Sequence, residues 1–208
     1  MTQRIAIFLR KTHATNHFRR VLTSFIGLPN LSSAVVTSGF FQEGPNFFAS
    51  SLFKLPCTSR PVPVPITFVG VYNAYWVSPF NTFIHNVQNA NCPGCVKVIN
   101  LSPKGHRWHA KVFIGSINGT PRFGIVGSSN LTRPAADTSK PFNFEADAVL
   151  WYETDTAVHS AVIEQLEPLA GSGEVLLTTY NPSDVLNGNL SLEKQLQLLQ
   201  DQVMGINE

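Results

Sequence analysis

The residues best suited to chemistry lie between positions 109 and 145. His109-Ala110-Lys111 falls in a run, Trp108 to Ile114, with a strand-like alternation. Residues two apart on a strand point to one face, so the imidazole and the ammonium would share a side. A solvated edge strand gives the same pattern, since short motifs match by chance. The second piece is the run Phe123 to Pro134, a strand that gives way to Gly127-Ser128-Ser129-Asn130. Glycine lets backbone approach a ligand closely, and Ser128 and Asn130 add neutral donors. The third is Asn143-Phe144-Glu145, polar residues again two apart at a strand start. An imidazole, an ammonium, neutral donors and a carboxylate on adjacent strands suit phosphoryl transfer. His109 can be a nucleophile. Lys111, Ser128 and Asn130 can bind phosphate oxygens whose charge grows in the transition state. Glu145 can hold the imidazole in one tautomer.

Together, His-x-Lys, Gly-Ser-x-Asn-Leu-Thr and Asn-x-Glu resemble the catalytic signature of the phospholipase D superfamily. The likeness is close over His109 to Glu145 and loose over the flanking segments. The family's usual Asp, five residues after the Lys, is here Ser116, and loop 115–121 is longer than the family's. A missing Asp with a Glu on the later strand is similar to the metal-independent restriction endonuclease branch. The resemblance implies that His109 forms a phosphohistidine, that Lys111, Ser128 and Asn130 grip the phosphate, and that Glu145 orients His109. It implies no metal and no other cofactor. The family's site uses two His-x-Lys copies, the second His serving as general acid. One copy here implies a symmetric homodimer with one site on its two-fold axis.

Around these residues the chain alternates strand-like and helix-like runs. Helices are expected over 15–27, 47–55, 79–89, 156–169 and 191–204, from apolar residues at helical spacing and from stop signals. Strands are expected over 33–39, 66–72, 95–101, 108–114, 122–126, 144–151 and 174–180, with a hairpin at Gly119-Thr120-Pro121. The expected fold is α/β, a mixed β-sheet sandwiched by helices, in a single domain over 1–208.

Composition narrows the function classes. Apolar residues are 43% and include 15 Phe, enough for a sizeable core and too many for a disordered chain. Charged residues are only 13%, so much of the surface is polar but neutral, which favours self-association. A net charge of +2 excludes nucleic-acid binding by bulk charge alone but permits a local anion site. Lys104 and Arg107, with His106, precede the His-x-Lys motif and favour a polyanion such as DNA over a lipid head group. The set Arg4, Arg10, Lys11, His13, His17, Arg19 and Arg20 reads equally as a backbone-tracking patch or a solvated helix face. The apolar run Ile5–Leu9 is too short for a leader or a membrane span. Three cysteines cannot all pair within the chain, so a reducing, cytoplasmic setting is expected, with Cys92 and Cys95 as reduced thiols around a Pro-Gly turn. Cys92-x-x-Cys95 followed by His106 and His109 imitates a zinc spacing, but the gaps are short of the pattern.

Three functions compete. A metal-independent nuclease comes first. A phospholipid-type phosphodiesterase would use the same site, but no basic amphipathic helix supports it. A non-catalytic nucleic-acid-binding module would explain Ser116. A chain of this length has little room for a domain that reads base edges, so weak sequence preference or a specificity partner subunit is expected.

Overall fold

The computed structural model describes residues 2–57, 62–70, 74–101 and 109–205. In chain order the elements are β1 (Gln3–Arg10), α1 (His17–Ile26), β2 (Leu31–Ser38), the two-residue strands β3 (Glu43–Gly44) and β4 (Phe47–Phe48), β5 (Val64–Gly70), α2 (Ala74–Ala90), β6 (Val96–Leu101), β7 (Lys111–Ile117), β8 (Thr120–Gly127), α3 (Arg133–Ala136), β9 (Glu145–Tyr152), α4 (Thr156–Leu166), β10 (Val175–Tyr180) and α5 (Leu192–Gly205).

Eight strands form one sheet in the order β10-β1-β9-β8-β7-β2-β5-β6. Pairing is antiparallel from β10 to β2 and parallel across β2, β5 and β6. The sheet is therefore mixed. Short antiparallel returns suffice in one half, while the parallel half needs the α2 crossover between β5 and β6.

Both faces of the sheet are apolar, and strand alternation divides the residues between them. Phe8, Phe113, Phe123, Ile125, Val149 and Trp151 join the main core with Phe18, Leu22 and Phe25 of α1, Phe80 and Phe83 of α2, and Val158 and Val162 of α4. The intervening positions Val112, Ile114 and Tyr152 meet Leu192 and Leu196 of α5, and Val35 and Val69 meet Val203. The expected sandwich is present, with a single helix on its second side.

Several expected elements differ. The run Ile5–Leu9 lies within β1, a strand interior to the sheet, which its alternating burial of Ala6 and Phe8 against exposed Ile7 and Leu9 explains. Segment 47–55 is not an α-helix. Its first residues pair with Glu43–Gly44, and a 3-10 turn follows over Ala49–Phe53. The Glu43 carboxylate accepts bonds from the Ser50 N–H at 2.7 Å and the Ser50 hydroxyl at 3.0 Å, which fixes that tight turn. Helix α2 starts before 79 and keeps Pro79 inside. The hairpin turns at Asn118 and Gly119, both with positive φ, a two-residue turn matched to strand twist.

The cysteine expectation is corrected. Cys92 is disulfide-bonded to Cys57, and Cys95 alone is a free, buried thiol. Asn91 causes the pairing. Its amide accepts from the Leu55 N–H at 2.8 Å and donates to the Phe53 and Val87 carbonyls at 3.1 and 2.7 Å, which brings two distant loops together. Cysteine usage thus gives no support to a reducing compartment. Among the described residues no helix is long and apolar enough to cross a membrane.

Candidate active site

On the α1 side of the sheet, the buried stripes of three strands each end in charged residues. Phe8 is followed by Arg10 on β1, Phe113 is preceded by Lys111 on β7, and Val149 is preceded by Asp147 and Glu145 on β9. Register aligns these ends. Lys111 lies opposite Gly127, Gly127 opposite Asp147, and Arg10 opposite Glu145. All four charged residues are buried. Burying charge is costly unless partners converge, so a cluster at one sheet end is a candidate site.

His109 lies just before β7 rather than within it and is exposed, while Lys111 is 6% exposed. The Lys111 Nζ is 2.9 Å from His109 Nδ1 and 3.3 Å from Nε2. An ammonium only donates, so the imidazole is the acceptor in this contact. Burial lowers the Lys111 pKa from its usual value, and the Glu145 and Asp147 carboxylates oppose that shift. The Phe40 ring meets His109 edge-on at 6.4 Å and also meets Trp76 edge-on at 4.9 Å. Trp76 thus reaches the site through Phe40.

The Ser128–Asn130 loop closes over the strand ends. Ser128 donates to Glu145 Oε2 in a short hydrogen bond, and its oxygen accepts from the Ala146 N–H at 3.0 Å. Asn143 donates to the other Glu145 oxygen at 3.0 Å. Both oxygens of Glu145 therefore contact the Ser128 and Asn143 side chains. Asn130 Oδ1 lies 3.3 Å from the Ser38 hydroxyl, whose closer acceptor is the Phe40 carbonyl at 2.7 Å. Ser38 also accepts from the Leu131 N–H at 3.1 Å, so the end of β2 anchors the loop.

Lys111, Ser128, Asn130 and Glu145 are thus brought to one sheet end with His109. Lys104 and Arg107 lie outside the described residues. The basic set near the N-terminus does not form one face. Arg4 pairs with Glu153, Arg19 with Asp137, and Lys11 donates to the Gly173 carbonyl. Arg10 and His17 are buried.

The sequence reading missed Asp147, gave Ser129 no role, and placed Arg10 in a surface patch or solvated helix face, whereas Arg10 is buried. Asp147 accepts from the Ser129 hydroxyl at 2.6 Å and the Ser129 N–H at 3.2 Å. Burial pushes its carboxyl up to about 6, with the Ser129 bonds opposing and Glu145 adding to the rise. Arg10 donates to the Pro134 and Ala135 carbonyls at 2.7 and 2.9 Å and to the Asp137 carbonyl, so it holds α3 behind the loop. A signal for Asp147 existed: it lies two residues past Glu145, on the same face of an otherwise apolar strand. Arg10 offered none, because its partners are carbonyls more than a hundred residues away.

Ser116 is 1% exposed and sits toward the hairpin end of β7, beside the shift in register between Gly115 and Ser116. Five residues of strand put it about 17 Å from Lys111. It bears on packing at the other end of the sheet, not on the His109 ring.

No protein-family profile matches the sequence, and no curated protein matches it. Solved structures do resemble the fold. NucT from Helicobacter pylori is 16% identical, with 79% of this chain and 96% of that chain covered, at a TM-score of 0.44. Yeast tyrosyl-DNA phosphodiesterase is 15% identical, with 70% of this chain and 32% of that chain covered, at a TM-score of 0.39. Phosphatidylserine synthase from Haemophilus influenzae is 10% identical, with 98% of this chain and 46% of that chain covered, at a TM-score of 0.42.

Proposed function

We propose that the chain is a metal-independent phosphodiesterase that cleaves nucleic acid, with DNA favoured by the resemblance to the endonuclease branch. The observation that carries this reading is the Lys111 ammonium 2.9 Å from the Nδ1 of an exposed His109, with the Ser128 and Asn130 loop beside it. A phosphodiester drawn to that ammonium would meet a ring nitrogen with a free lone pair once the lysine turns to the phosphate. His109 then attacks phosphorus, and the bond to the leaving oxygen breaks. That oxygen takes its proton from a second imidazole. Water gives a proton back to the second imidazole and attacks the phosphohistidine, the phosphorus–nitrogen bond breaks, and a phosphate monoester leaves.

One chain supplies one imidazole of the pair, so the active species is a homodimer with the site on its two-fold axis. Lys111 and Asn130 from both copies would supply the positive field and donors otherwise given by a metal. Glu145 holds Ser128 and so shapes the phosphate cradle as well as facing the His109 side of the sheet. Weak sequence preference, or discrimination supplied by a partner subunit, is expected.

The test is plasmid cleavage in EDTA by wild type and His109→Ala at equal concentration, with single- and double-stranded substrates. Cleavage by wild type, lowered about a thousandfold or more in the variant, is expected. Equal cleavage by both proteins would remove His109 as nucleophile. No cleavage by either would move the reading to a lipid phosphodiester or to binding without catalysis.

A further inference from the structure

All three cysteines of the chain meet at one place, far from the candidate active site. The sulfurs of Cys57, Cys92 and Cys95 lie within 4.8 Å of one another. Independent local structures bring them there. The Cys92-Pro93-Gly94-Cys95 turn is closed by the Cys95 N–H donating to the Cys92 carbonyl at 3.0 Å, with Gly94 at φ 79°. Asn91 ties the loop carrying Cys57 to the same turn. The Cys95 carbonyl accepts from the Val64 N–H at 3.0 Å, which fixes the turn to the start of β5. Cys57 is exposed, Cys92 is half-buried and Cys95 is buried, so the cluster spans from surface to core.

A cross-link needs two sulfurs, and the disulfide between Cys57 and Cys92 leaves the third without a role. Three converging thiols have another use. Thiolates about 2.3 Å from a tetrahedral zinc lie about 3.8 Å apart, within the spread seen here. We propose that, in the reduced chain, Cys57, Cys92 and Cys95 hold a soft divalent cation of the zinc type. No fourth His, Asp or Glu joins the three sulfurs among the described residues, and a fourth donor such as water would complete the tetrahedron. The site is structural. Cys95 precedes β6, whereas Ser38, beside Asn130, ends β2, and these strands run parallel through β5. The cluster is therefore at the opposite end of the sheet from Lys111, and it joins the β5 and β6 starts to the loop after the 3-10 turn.

The disulfide and the metal exclude each other. A dithiol reductant gives two electrons and two protons to the Cys57–Cys92 bond and is itself oxidised to a disulfide. The cation then displaces the protons of the three thiols.

The test uses the full chain, reduced with a dithiol, freed of reductant without air, and titrated with cobalt(II) and then zinc. One cobalt per chain is expected, with intense thiolate-to-cobalt charge-transfer absorption that zinc abolishes. Zinc should also protect Cys57 and Cys92 from a disulfide-forming reagent, where the metal-free reduced chain shows both of them reactive and Cys95 shielded by burial. Cys95→Ser should weaken cobalt binding at least about tenfold. Absence of thiolate–cobalt absorption in the reduced wild type overturns the proposal, and so does a Cys95→Ser affinity equal to wild type. Should a variant fail to fold, the stoichiometry and thiol protection in wild type still decide.

Discussion

The carboxylate of Asp147 accepts two hydrogen bonds from Ser129, one from the backbone N–H and one from the hydroxyl. The middle residue of the candidate phosphate loop is thereby fixed from below by a buried acid. That acid has its carboxyl raised to about 6, chiefly by burial. A carboxyl raised above its unfolded value binds its proton more tightly in the folded state, so stability is greatest at low pH and is lost as pH rises through the folded value. The window lies between about pH 4 and about pH 6, and the full effect is about 3 kcal/mol. Asp147→Asn removes this slope. Buried His17 contributes the opposite sign, since burial lowers its pKa and protonation at acid pH opposes folding. The measurement is therefore the difference in unfolding free energy between Asp147→Asn and wild type, from urea titrations at several pH values. The variant should gain on wild type as pH rises from 4 to 7. A difference constant in pH would show that Asp147 is not a strained buried acid.

Gly127 is where β8 passes β9 at the foot of the site. A Cβ there would lie 2.0 Å from Asp147 Oδ1 and 2.7 Å from the Ala146 carbonyl oxygen. The second of these is backbone and cannot turn away. Gly127→Ala should lower stability by about 3 kcal/mol and abolish cleavage, because relief of the contact moves both Asp147 and the Ser128 loop. A thermal melt and an EDTA cleavage assay on the same preparation check it. A variant with wild-type melting would refute the close approach.

Much of this site was legible because period two carries it. Lys111 and Phe113, and Glu145, Asp147 and Val149, alternate as strands that bury one face, and polar residues replace apolar ones only at the strand ends. Most strand positions followed from the same alternation and most helices from helical spacing, but β1 went unread because its apolar run Ile5–Leu9, ending at Arg10, was weighed only against a leader or a membrane span. Segment 47–55 was misread because Ala49, Leu52 and Phe53 bury equally well in a 3-10 turn, and only the Glu43 side chain selects that turn. The disulfide was not readable, since it depends on Asn91 bridging segments brought together by folding. Arg10 was grouped with a surface basic set for the same reason, since the Pro134 and Ala135 carbonyls that bury it are brought near only by folding.

The Ser116 position gives a direct check on how this chain departs from the family it resembles. Ser116 is buried, and its carbonyl accepts from the Ser32 hydroxyl at 3.0 Å. It is about 17 Å along the strand from Lys111. Restoring the acid with Ser116→Asp should therefore not raise the cleavage rate. It should cost roughly 3 kcal/mol of stability, because the new carboxyl is buried without a designed partner. Rate per folded molecule in EDTA, with the folded fraction taken from a melt, is the readout. A rate increase of tenfold or more would mean that the acid acts on the site after all.

The proposed two-fold site makes a quantitative prediction for mixed dimers. If each site needs two copies of His109, one as nucleophile and one as general acid, a hybrid with His109→Ala on one side lacks one of them. Activity in a randomly paired mixture then follows the square of the wild-type fraction. Equal amounts of wild type and His109→Ala, unfolded together and refolded, should show about a quarter of the activity of the same total of wild type. Chains that act independently would show half. The quarter requires both dimerisation and a shared site, so a dimer with two separate sites also gives half. Sizing the refolded sample by light scattering separates a monomer from such a dimer, and the activity ratio then decides whether the two imidazoles work on one phosphate.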